Sequence, residues 1–577
     1  MKRTETLQKI FTPLVIAVVT FLFYQFQYAY HLFFKEQLQL FLYTPDYLLS
    51  YFHKPAALAH LTGDFLTQFF YLRGGGPLVL TVVFALEWIL IQHTLKRIFS
   101  LKTAGWWALL SVAADFVSHL ALAYPLANSV GMIFAISFFL LIERINNKIV
   151  SSTLVLTLSF LGHYLFGSTA FAIPFLILFS KRFYQPAITA AVSLLLLVVT
   201  PVAFRADYLL PLNTTFLFPV TSLKGLLLPV VFIITVLVSK LTSHIKTLHF
   251  GFASVALLFA ALIAFFGFRI NANQNLEKIL ALDSETYFGH ENKVIELAKK
   301  NKLGNRFSAY YTNMALAKTG QLSNRLLEFY QPSLYGLILP VSQNEHWQTI
   351  LFSNELFYLI GDMNLAQHSA MLGNTFSPHN RSSRMMKRLA EINMVNEDYP
   401  GAEKFLRMLD KTLFHKKWAE KRLAENNAFS NSRWLIEKRS QIAKTDIIRN
   451  GSEYLKSLEF LVEQNPQNHI ALEYLLCYHL LNKDLDAFKI AYDRFALPQF
   501  SNAPKVYGEA LLIILFRENA SEETLQQYKI QPSQIRDFTK YTSRFEAVNG
   551  KGEALKENFG TSYWFYYHFA TMQEEEK

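Results

Sequence analysis

The apolar stretches of the sequence contain ionisable side chains that could do chemistry. Among them are Glu87, Asp115, His119 and His163. A charge in hydrocarbon costs about 2.5–3.5 kcal/mol or more, so such residues indicate function or specific pairing. Asp115 and His119 are spaced to share one face of a helix, where they can share a hydrogen bond. The pair is typical either of a polar contact that fixes helix packing or of a site on a proton path.

Three acids form a second group of candidates, in the polar but aromatic-rich stretch 35–75: Glu36, Asp46 and Asp64. Glu36 directly follows the first apolar stretch, which predicts a place at the membrane surface. Each acid is either a solvated surface group or a group that does chemistry. Three cations are predicted at a similar depth, where such side chains also snorkel to lipid headgroups: Lys54, Arg73 and Arg205.

The elements that must position these residues fall into two parts of different composition. Residues 1–269 are mostly Leu, Phe, Val, Ala and Ile, whereas residues 270–577 have the composition of a soluble protein. We therefore predict an all-α protein with a polytopic membrane domain followed by an extracytoplasmic helical domain. The formal net charge of +11 comes from dispersed cations, which favours membrane lipids over nucleic acid as partners. The single cysteine, Cys477, excludes an intrachain disulfide.

About nine segments are predicted to span a membrane, because a spanning helix needs roughly 20 apolar residues. They are 10–34, 76–93, 104–124, 128–143, 149–166, 169–180, 186–204, 224–240 and 249–268. The sixth is short and could form one broken helix with the fifth. The first lacks a small-residue cleavage site and is interpreted as an anchor.

Lysine and arginine occur in every second short loop, which sets the predicted orientation. The basic residues are Lys2, Arg3, Lys9, Lys96, Arg97, Lys102, Arg144, Lys148, Lys181, Arg182, Lys240 and Lys246. The positive-inside rule then predicts a cytoplasmic N-terminus in an inner membrane. An odd number of spans places the C-terminal domain in the periplasm and leaves two long external loops, 35–75 and 205–223.

The first external loop carries signals for short helices. Thr44-Pro45 is a helix start, with a second start near Pro55. Asp64 is predicted as an N-cap or first-turn anion of a further helix. Helical spacing then places Gln68 on the same face as Asp64, which predicts a helix lying in the membrane interface. Gly74 to Gly76 are expected to end that helix before the next span.

Two resemblances follow from this loop and its surroundings. The strings KEQLQLF and GDFLTQFFY resemble a family of uncharacterised envelope proteins from Bacteroides-type bacteria, over the full length of the chain. The layout of residues 1–269, with acids in a long external loop after the first span, resembles the GT-C superfamily of membrane glycosyltransferases. That superfamily carries an Asp-Glu or Asp-Asp pair after the first span, where this sequence has Glu36-Gln37.

The GT-C resemblance implies transfer of a sugar from a polyprenyl-phosphate or polyprenyl-diphosphate carrier to an acceptor on the outer face. One loop acid would act as general base or orient the acceptor: Glu36, Asp46 or Asp64. One cation would balance the departing phosphate: Lys54, Arg73 or Arg205. The supporting polar residues would be Gln37, Gln68, Asp115, His119 and His163. A divalent cation is compatible with such a site, but no ligand spacing requires one and no metal ligand is predicted.

The C-terminal half predicts helices joined by short polar turns. Turn-plus-helix units recur at 359–372, 394–409 and 480–492, and the first two are offset by about the 34-residue tetratricopeptide period. Residues 465–492 resemble such a repeat, whereas other units are degenerate. We predict an imperfect α-solenoid whose concave face would bind a peptide or protein segment.

Three functions are compatible with the sequence. The first is a GT-C-like glycosyltransferase whose repeats present a protein acceptor. The second is a non-enzymatic, membrane-anchored repeat scaffold for cell-envelope assembly. The third, suggested by the Asp115–His119 pair, is a proton-coupled transporter.

Overall fold

The computed structural model describes residues 2–203, 226–243, 249–342, 345–428, 432–445, 447 and 453–571. Within these ranges the regular secondary structure is helical and contains no strand, which confirms the predicted all-α class. The predicted loop 205–223 and its cation Arg205 lie outside the described residues.

The first twelve helices cover the apolar part of the chain. They are α1 (Lys2–Phe26), α2 (Tyr30–Gln37), α3 (Pro45–Ser50), α4 (Ala57–Thr67), α5 (Gly75–Phe99), α6 (Ala104–Ser118), α7 (Leu126–Glu143), α8 (Lys148–Phe166), α9 (Ala172–Phe179), α10 (Pro186–Ala203), α11 (Leu227–Thr242) and α12 (His249–Asn271).

The remaining helices cover the part of soluble composition. They are α13 (Gln274–Tyr287), α14 (Glu291–Asn301), α15 (Arg306–Lys318), α16 (Leu322–Arg325), α17 (Trp347–Ile360), α18 (Met363–Phe376), α19 (Ser383–Val395), α20 (Tyr399–Asp410), α21 (Lys416–Asn427), α22 (Arg433–Arg439), α23 (Tyr454–Gln464), α24 (His469–Leu481), α25 (Leu485–Ala491), α26 (Lys505–Arg517), α27 (Glu522–Gln527), α28 (Pro532–Ala547), α29 (Glu553–Phe559) and α30 (Tyr563–Phe569).

The chain forms two compact units. The first unit comprises Met1–Glu277 together with two later segments, Phe376–Arg384 and Arg407–Glu420. The second unit comprises Lys278–Thr375, Met385–Leu406 and Lys421–Lys577. The two late segments of the first unit matter for the site, because they bring residues distant in sequence to the first loop.

Four helical stretches of the described residues are long and apolar enough to cross a membrane: Gly75–Phe99, Leu126–Glu143, Lys148–Phe179 and Phe252–Asn271. A fifth candidate is the pair Phe11–Phe26 and Tyr30–Gln37, which is bent by 76°. Three shorter apolar helices are Ala104–Ser118, Pro186–Thr200 and Leu227–Thr242. Apolar helices thus occur where the sequence predicts spans, while the number nine stays a prediction.

The first unit is built on one apolar core in which α5 and α6 pack side by side. Buried side chains such as Trp88, Trp107 and Phe84 fill it. The first-loop helix α4 packs against α7 so closely that a Cβ at Gly63 would lie 2.6 Å from the Ala127 backbone nitrogen. Only glycine fits at that approach, so α4 has a fixed position next to α7.

Two predicted details of the first loop are corrected by the helix boundaries. Asp64 is neither an N-cap nor a first-turn residue, since α4 begins at Ala57 and Asp64 lies in its second half. The glycine run does not end a helix: Gly74 adopts a left-handed conformation (φ +82°) as the N-cap residue of α5. The start at Thr44-Pro45 is confirmed, because α3 begins at Pro45 after an extended Thr44.

The second unit consists of helices, several of which are joined by tight turns. The three predicted turn-plus-helix units fall on the junctions α17–α18, α19–α20 and α24–α25. Gly361 turns the first with φ +90°, and Asn468 caps α24 by accepting a hydrogen bond from the Ala471 backbone N–H. Stacking of these pairs into a tetratricopeptide-like solenoid stays a prediction.

Candidate functional site at the first loop

The extended stretch after α2 is held by the two late segments of the first unit. The Tyr43 backbone N–H donates to the Lys411 carbonyl at 2.9 Å, and the Ser383 N–H donates to the Gln39 carbonyl at 3.1 Å. The Ser382 hydroxyl donates to the Gln37 carbonyl at 2.6 Å. These bonds fix residues 37–43 from both sides and so position the acid at the end of α2.

Glu36 and His415 form a buried acid–imidazole pair. Glu36 Oε1 lies 2.9 Å from His415 Nε2, and each side chain is only 4% exposed. The Tyr71 ring packs edge-on to the imidazole with centroids 4.9 Å apart. The Thr412 hydroxyl accepts a hydrogen bond from the His415 backbone N–H at 3.1 Å, which fixes the turn that carries the imidazole.

One polar atom of each residue in this pair has no hydrogen-bond partner among the described residues. Glu36 Oε2 and His415 Nδ1 are buried and have no hydrogen-bond partner among the described residues. When Nε2–H donates to Glu36, Nδ1 carries the free lone pair of the ring, so the carboxylate orients a base. Buried polar atoms without partners are rare and indicate a ligand or a water at that point.

A small cleft opens beside the pair, with room for about one water molecule. Its lining residues are Glu36, Gln39, Leu40, Phe41, Gln68, Thr412, Leu413, Phe414 and His415. Gln68 is fixed there because its carbonyl accepts from the Tyr43 hydroxyl at 3.1 Å and its amide donates to the Phe65 carbonyl at 2.8 Å. Gln37 is bound by the Arg384 guanidinium at 2.9 Å and does not line the cleft.

Asp64 belongs to a second, more open group in the same loop. Its carboxylate accepts a hydrogen bond from the Tyr51 hydroxyl at 2.9 Å, and His379 Nε2 lies 3.8 Å away, with both side chains 21% exposed. Gln39, which lines the cleft, donates to the Asp64 backbone carbonyl at 3.1 Å. The Gln39 backbone N–H also donates to the Glu36 carbonyl at 3.1 Å, so Gln39 joins the backbones of the two acids.

Burial favours the neutral forms of two side chains in this second group, Tyr51 and His60. Burial raises the pKa of the Tyr51 hydroxyl far above its usual range, and the Asp64 carboxylate raises it further, so Tyr51 remains a donor. Burial lowers the pKa of His60, one turn before Asp64, although Asp64 opposes that effect. The Arg381 guanidinium lies 5.7 Å from the Tyr47 ring centroid and supplies the nearby positive charge.

The model of a family of unknown function, DUF6057, matches residues 5–570. The chain belongs to the DUF6057 family. No curated protein and no solved structure shows significant similarity to it. The expected membership of an uncharacterised family is thus confirmed, while the GT-C resemblance stays a prediction.

The other sequence-predicted residues of this DUF6057 chain are distributed over several places. Asp46, Lys54 and Arg73 are exposed on the loop. His163 is buried in α8, edge-on to the Phe171 ring at 5.9 Å between centroids. Asp115 and His119 lie 3.7 Å apart and fully buried, in a separate cluster within the helices. Among the described residues, no three His, Cys, Asp or Glu side chains are grouped to hold a metal ion.

Sequence reasoning missed the histidines of the site. His415 and His379 lie more than 300 residues after the acids that they face, and no local motif marks either one. Their neighbours in sequence are ordinary residues of a soluble helical domain. Only the fold of the DUF6057 chain, in which two late segments join the first unit, brings them to the loop.

Proposed function

We propose that the protein is a membrane glycosyltransferase that transfers a sugar from a polyprenyl-phosphate-linked donor to an acceptor on the outer face. The observation that carries the proposal is the buried Glu36–His415 pair, with an open ring nitrogen beside a cleft at the end of the first candidate span. The layout of apolar helices around a long, helical first loop supports the GT-C-like class.

The proposal assigns a role to each group. Glu36 holds the His415 ring, and Nδ1 takes the proton of the acceptor hydroxyl as its oxygen bonds to the anomeric carbon. The bond from that carbon to the carrier phosphate breaks, and the phosphate leaves with its negative charge. The predicted cations Lys54, Arg73 and Arg205 would meet that charge. Asp64, held by Tyr51, would bind hydroxyl groups of the sugar or acceptor.

The membrane arrangement belongs to the same proposal. Nine spans with a cytoplasmic N-terminus in the inner membrane would place the first loop and residues 270–577 in the periplasm. The helix pairs of the second unit would then present a protein or peptide acceptor. The alternation of basic and neutral short loops supports this orientation.

A second candidate function is a non-enzymatic scaffold for cell-envelope assembly. The observation that favours it is the 4% exposure of Glu36 and His415, since a pair this buried also fastens residues 407–420 to the first loop. In the scaffold, the cleft would stay closed and the unpartnered atoms would be bridged by a single water.

The lipid-carrier and glycan profile of a strain lacking the gene separates the two functions. The transferase predicts that a polyprenyl-linked sugar accumulates while a glycan disappears from the envelope. Expression of the wild-type gene should restore both. A strain whose carriers and glycans stay unchanged while envelope proteins are mislocalised would contradict the transferase and favour the scaffold.

A further inference from the structure

A cluster of charged groups lies buried among the helices of the first unit, apart from the loop site. Glu87 is in α5 and Asp115 is in α6, and both are 0% exposed. Their surroundings are mainly apolar, with Phe84, Trp88 and Ile91 from α5 in the same core. The steps of sugar transfer described above assign no role to Glu87 or to Asp115.

Three of the four carboxyl oxygens of Glu87 and Asp115 have no donor among the described residues. Neither oxygen of Glu87, nor Asp115 Oδ2, receives a hydrogen bond from a donor among the described residues. The two side chains are nevertheless in hydrogen-bond contact. Two carboxylates cannot donate to one another, so this contact is a hydrogen bond only when one of them carries a proton.

The other oxygen of Asp115 is connected to α2 through Tyr124 and Lys35. Asp115 Oδ1 accepts from the Tyr124 hydroxyl at 3.0 Å, and the Tyr124 carbonyl accepts from the Lys35 ammonium at 2.9 Å. Lys35 is close enough to Asp115 to interact with its charge. Since Lys35 directly precedes Glu36 on α2, one helix contributes to both the buried cluster and the loop site.

The charges of the cluster balance with a single proton. When Lys35 is protonated, its one positive charge opposes two carboxyl groups, so one proton shared by Glu87 and Asp115 makes the set neutral. Neutrality is strongly favoured in a low-dielectric interior, where an uncompensated charge is costly. A second proton would leave the Lys35 ammonium without a counter-charge.

The remaining ionisable groups near the cluster have further partners of their own. His119 Nε2 is bonded to the Ser129 hydroxyl of α7 at 2.8 Å and lies 3.7 Å from Asp115 Oδ1. His31 of α2 contacts the His119 carbonyl at 3.0 Å and Glu277 of α13 at 3.5 Å, while α1 contributes the Tyr24 hydroxyl, bonded to the Phe116 carbonyl. The Thr235 hydroxyl of α11 lies 3.2 Å from the Ser111 hydroxyl of α6, and α12 carries Arg269 exposed in its last turn.

We propose that Glu87 and Asp115 hold one proton between them and so form a proton-binding site within the membrane-embedded helices. The Tyr124 hydroxyl and the Lys35 ammonium lie between this site and the first loop, so they are the groups through which its protonation state reaches α2. The inference does not depend on sugar transfer, because it rests on a different set of side chains.

Infrared difference spectroscopy of the full-length protein in lipid nanodiscs at neutral pH tests the proposal. Glu87→Gln keeps the shape and a donor, and the wild-type-minus-variant spectrum should contain the band of one protonated carboxyl group. Asp115→Asn should remove the same band. Glu143→Gln is the matched control: Glu143 is a buried acid that pairs with Arg97, and its replacement should remove only a carboxylate band.

The proposal is overturned if the Glu87→Gln difference spectrum shows no loss of a protonated carboxyl band. It is also overturned if Na⁺ added at constant pH abolishes that band in the wild type, which would assign the site to a monovalent cation. If Glu87→Gln does not fold, the Asp115→Asn difference spectrum must contain the same protonated carboxyl band. Its absence would then contradict the proposal.

Discussion

At the scale of single residues, the loop site depends on polar atoms that the fold buries and leaves open. Glu36 Oε2 and His415 Nδ1 have no partner among the described residues, although the other side of each group is paired. A purely structural ion pair is most stable when all its polar atoms are satisfied. The open atoms therefore favour a site that meets a hydroxyl or a water.

Two buried acids of the second unit predict a pH-dependent stability. Burial raises the pKa of Glu473 and the pKa of Glu509, each from 4.5 to about 7. Between those values the folded chain binds protons that the unfolded chain has lost, so stability falls as pH rises from about 4.5 to about 7. Each group contributes up to about 3 kcal/mol to that fall.

Thermal unfolding of the full-length protein across this pH range measures the effect. The variants Glu473→Gln and Glu509→Gln should each flatten the fall, because glutamine is neutral at every pH. Glu463→Gln, an acid 47% exposed, is the control and should leave the slope unchanged. A wild-type slope that persists in both buried variants would show that these acids are not the cause.

At the scale of elements, the cap of α24 predicts a strong local contribution. The Asn468 side chain accepts from the Ala471 N–H and donates to the carbonyls of Ile360 and Gln441 at 2.8 and 2.7 Å. Asn468→Ala should lower the free energy of unfolding by about 2 kcal/mol, since it removes a cap and leaves two carbonyls unpaired.

Ser521→Ala is the comparison for that cap, and the measurement is denaturant unfolding of the full-length protein. Ser521 caps the exposed helix α27, because its hydroxyl oxygen accepts a hydrogen bond from the Thr524 backbone N–H at 3.3 Å. Its loss should cost about 1 kcal/mol or less. Equal losses at both positions would mean that the bonds from Asn468 to Ile360 and Gln441 contribute nothing.

The packing of α4 on α7 gives a third prediction. In Gly63→Ala the new Cβ would overlap the Ala127 backbone, so α4 must move away from α7 and take Asp64 with it. We expect a loss of about 1–3 kcal/mol in stability. Gly304→Ala, where a Cβ meets open space, should be neutral or slightly stabilising. Equal melting temperatures for Gly63→Ala and Gly304→Ala would contradict the close approach of α4 to α7.

The elements show what could be predicted from sequence. Apolar segments such as 76–93 are located well, because hydropathy over about 20 residues is a strong local signal. The start of α3 is read from Thr44-Pro45, since proline presets the first turn of a helix. The prediction that a helix starts at Asp64 was wrong. Ala57–Thr67 forms one continuous helix, and Gly63 does not interrupt it.

At the scale of the whole molecule, composition marks the change near residue 270 but not the later segments. Residues 376–384 and 407–420 have ordinary soluble composition and still belong to the first unit. Contacts across more than 300 residues leave no local pattern, so the pairing of Glu36 with His415 could not be predicted from one sequence. The sequence points to the loop acids as candidates, but it does not point to the histidines that face them.

The proposed orientation makes a prediction for the entire chain. An alkaline phosphatase reporter fused after Arg269 should be active, because residues 270–577 are expected outside the membrane. The same reporter fused after Lys148, in a basic loop, should be inactive. Activity at Lys148 together with inactivity at Arg269 would invert the proposed topology and move the first loop to the cytoplasmic side.

The central claim is that Glu36 and His415 act together on a sugar acceptor, and complementation of the deletion strain tests it most directly. Envelope glycan, measured relative to the amount of protein in the membrane, should fall by about 100-fold or more in Glu36→Gln and in His415→Ala. It should stay at the wild-type level in Glu420→Gln, an acid of the same late segment that is 55% exposed. Full glycan levels in Glu36→Gln and His415→Ala would contradict the account.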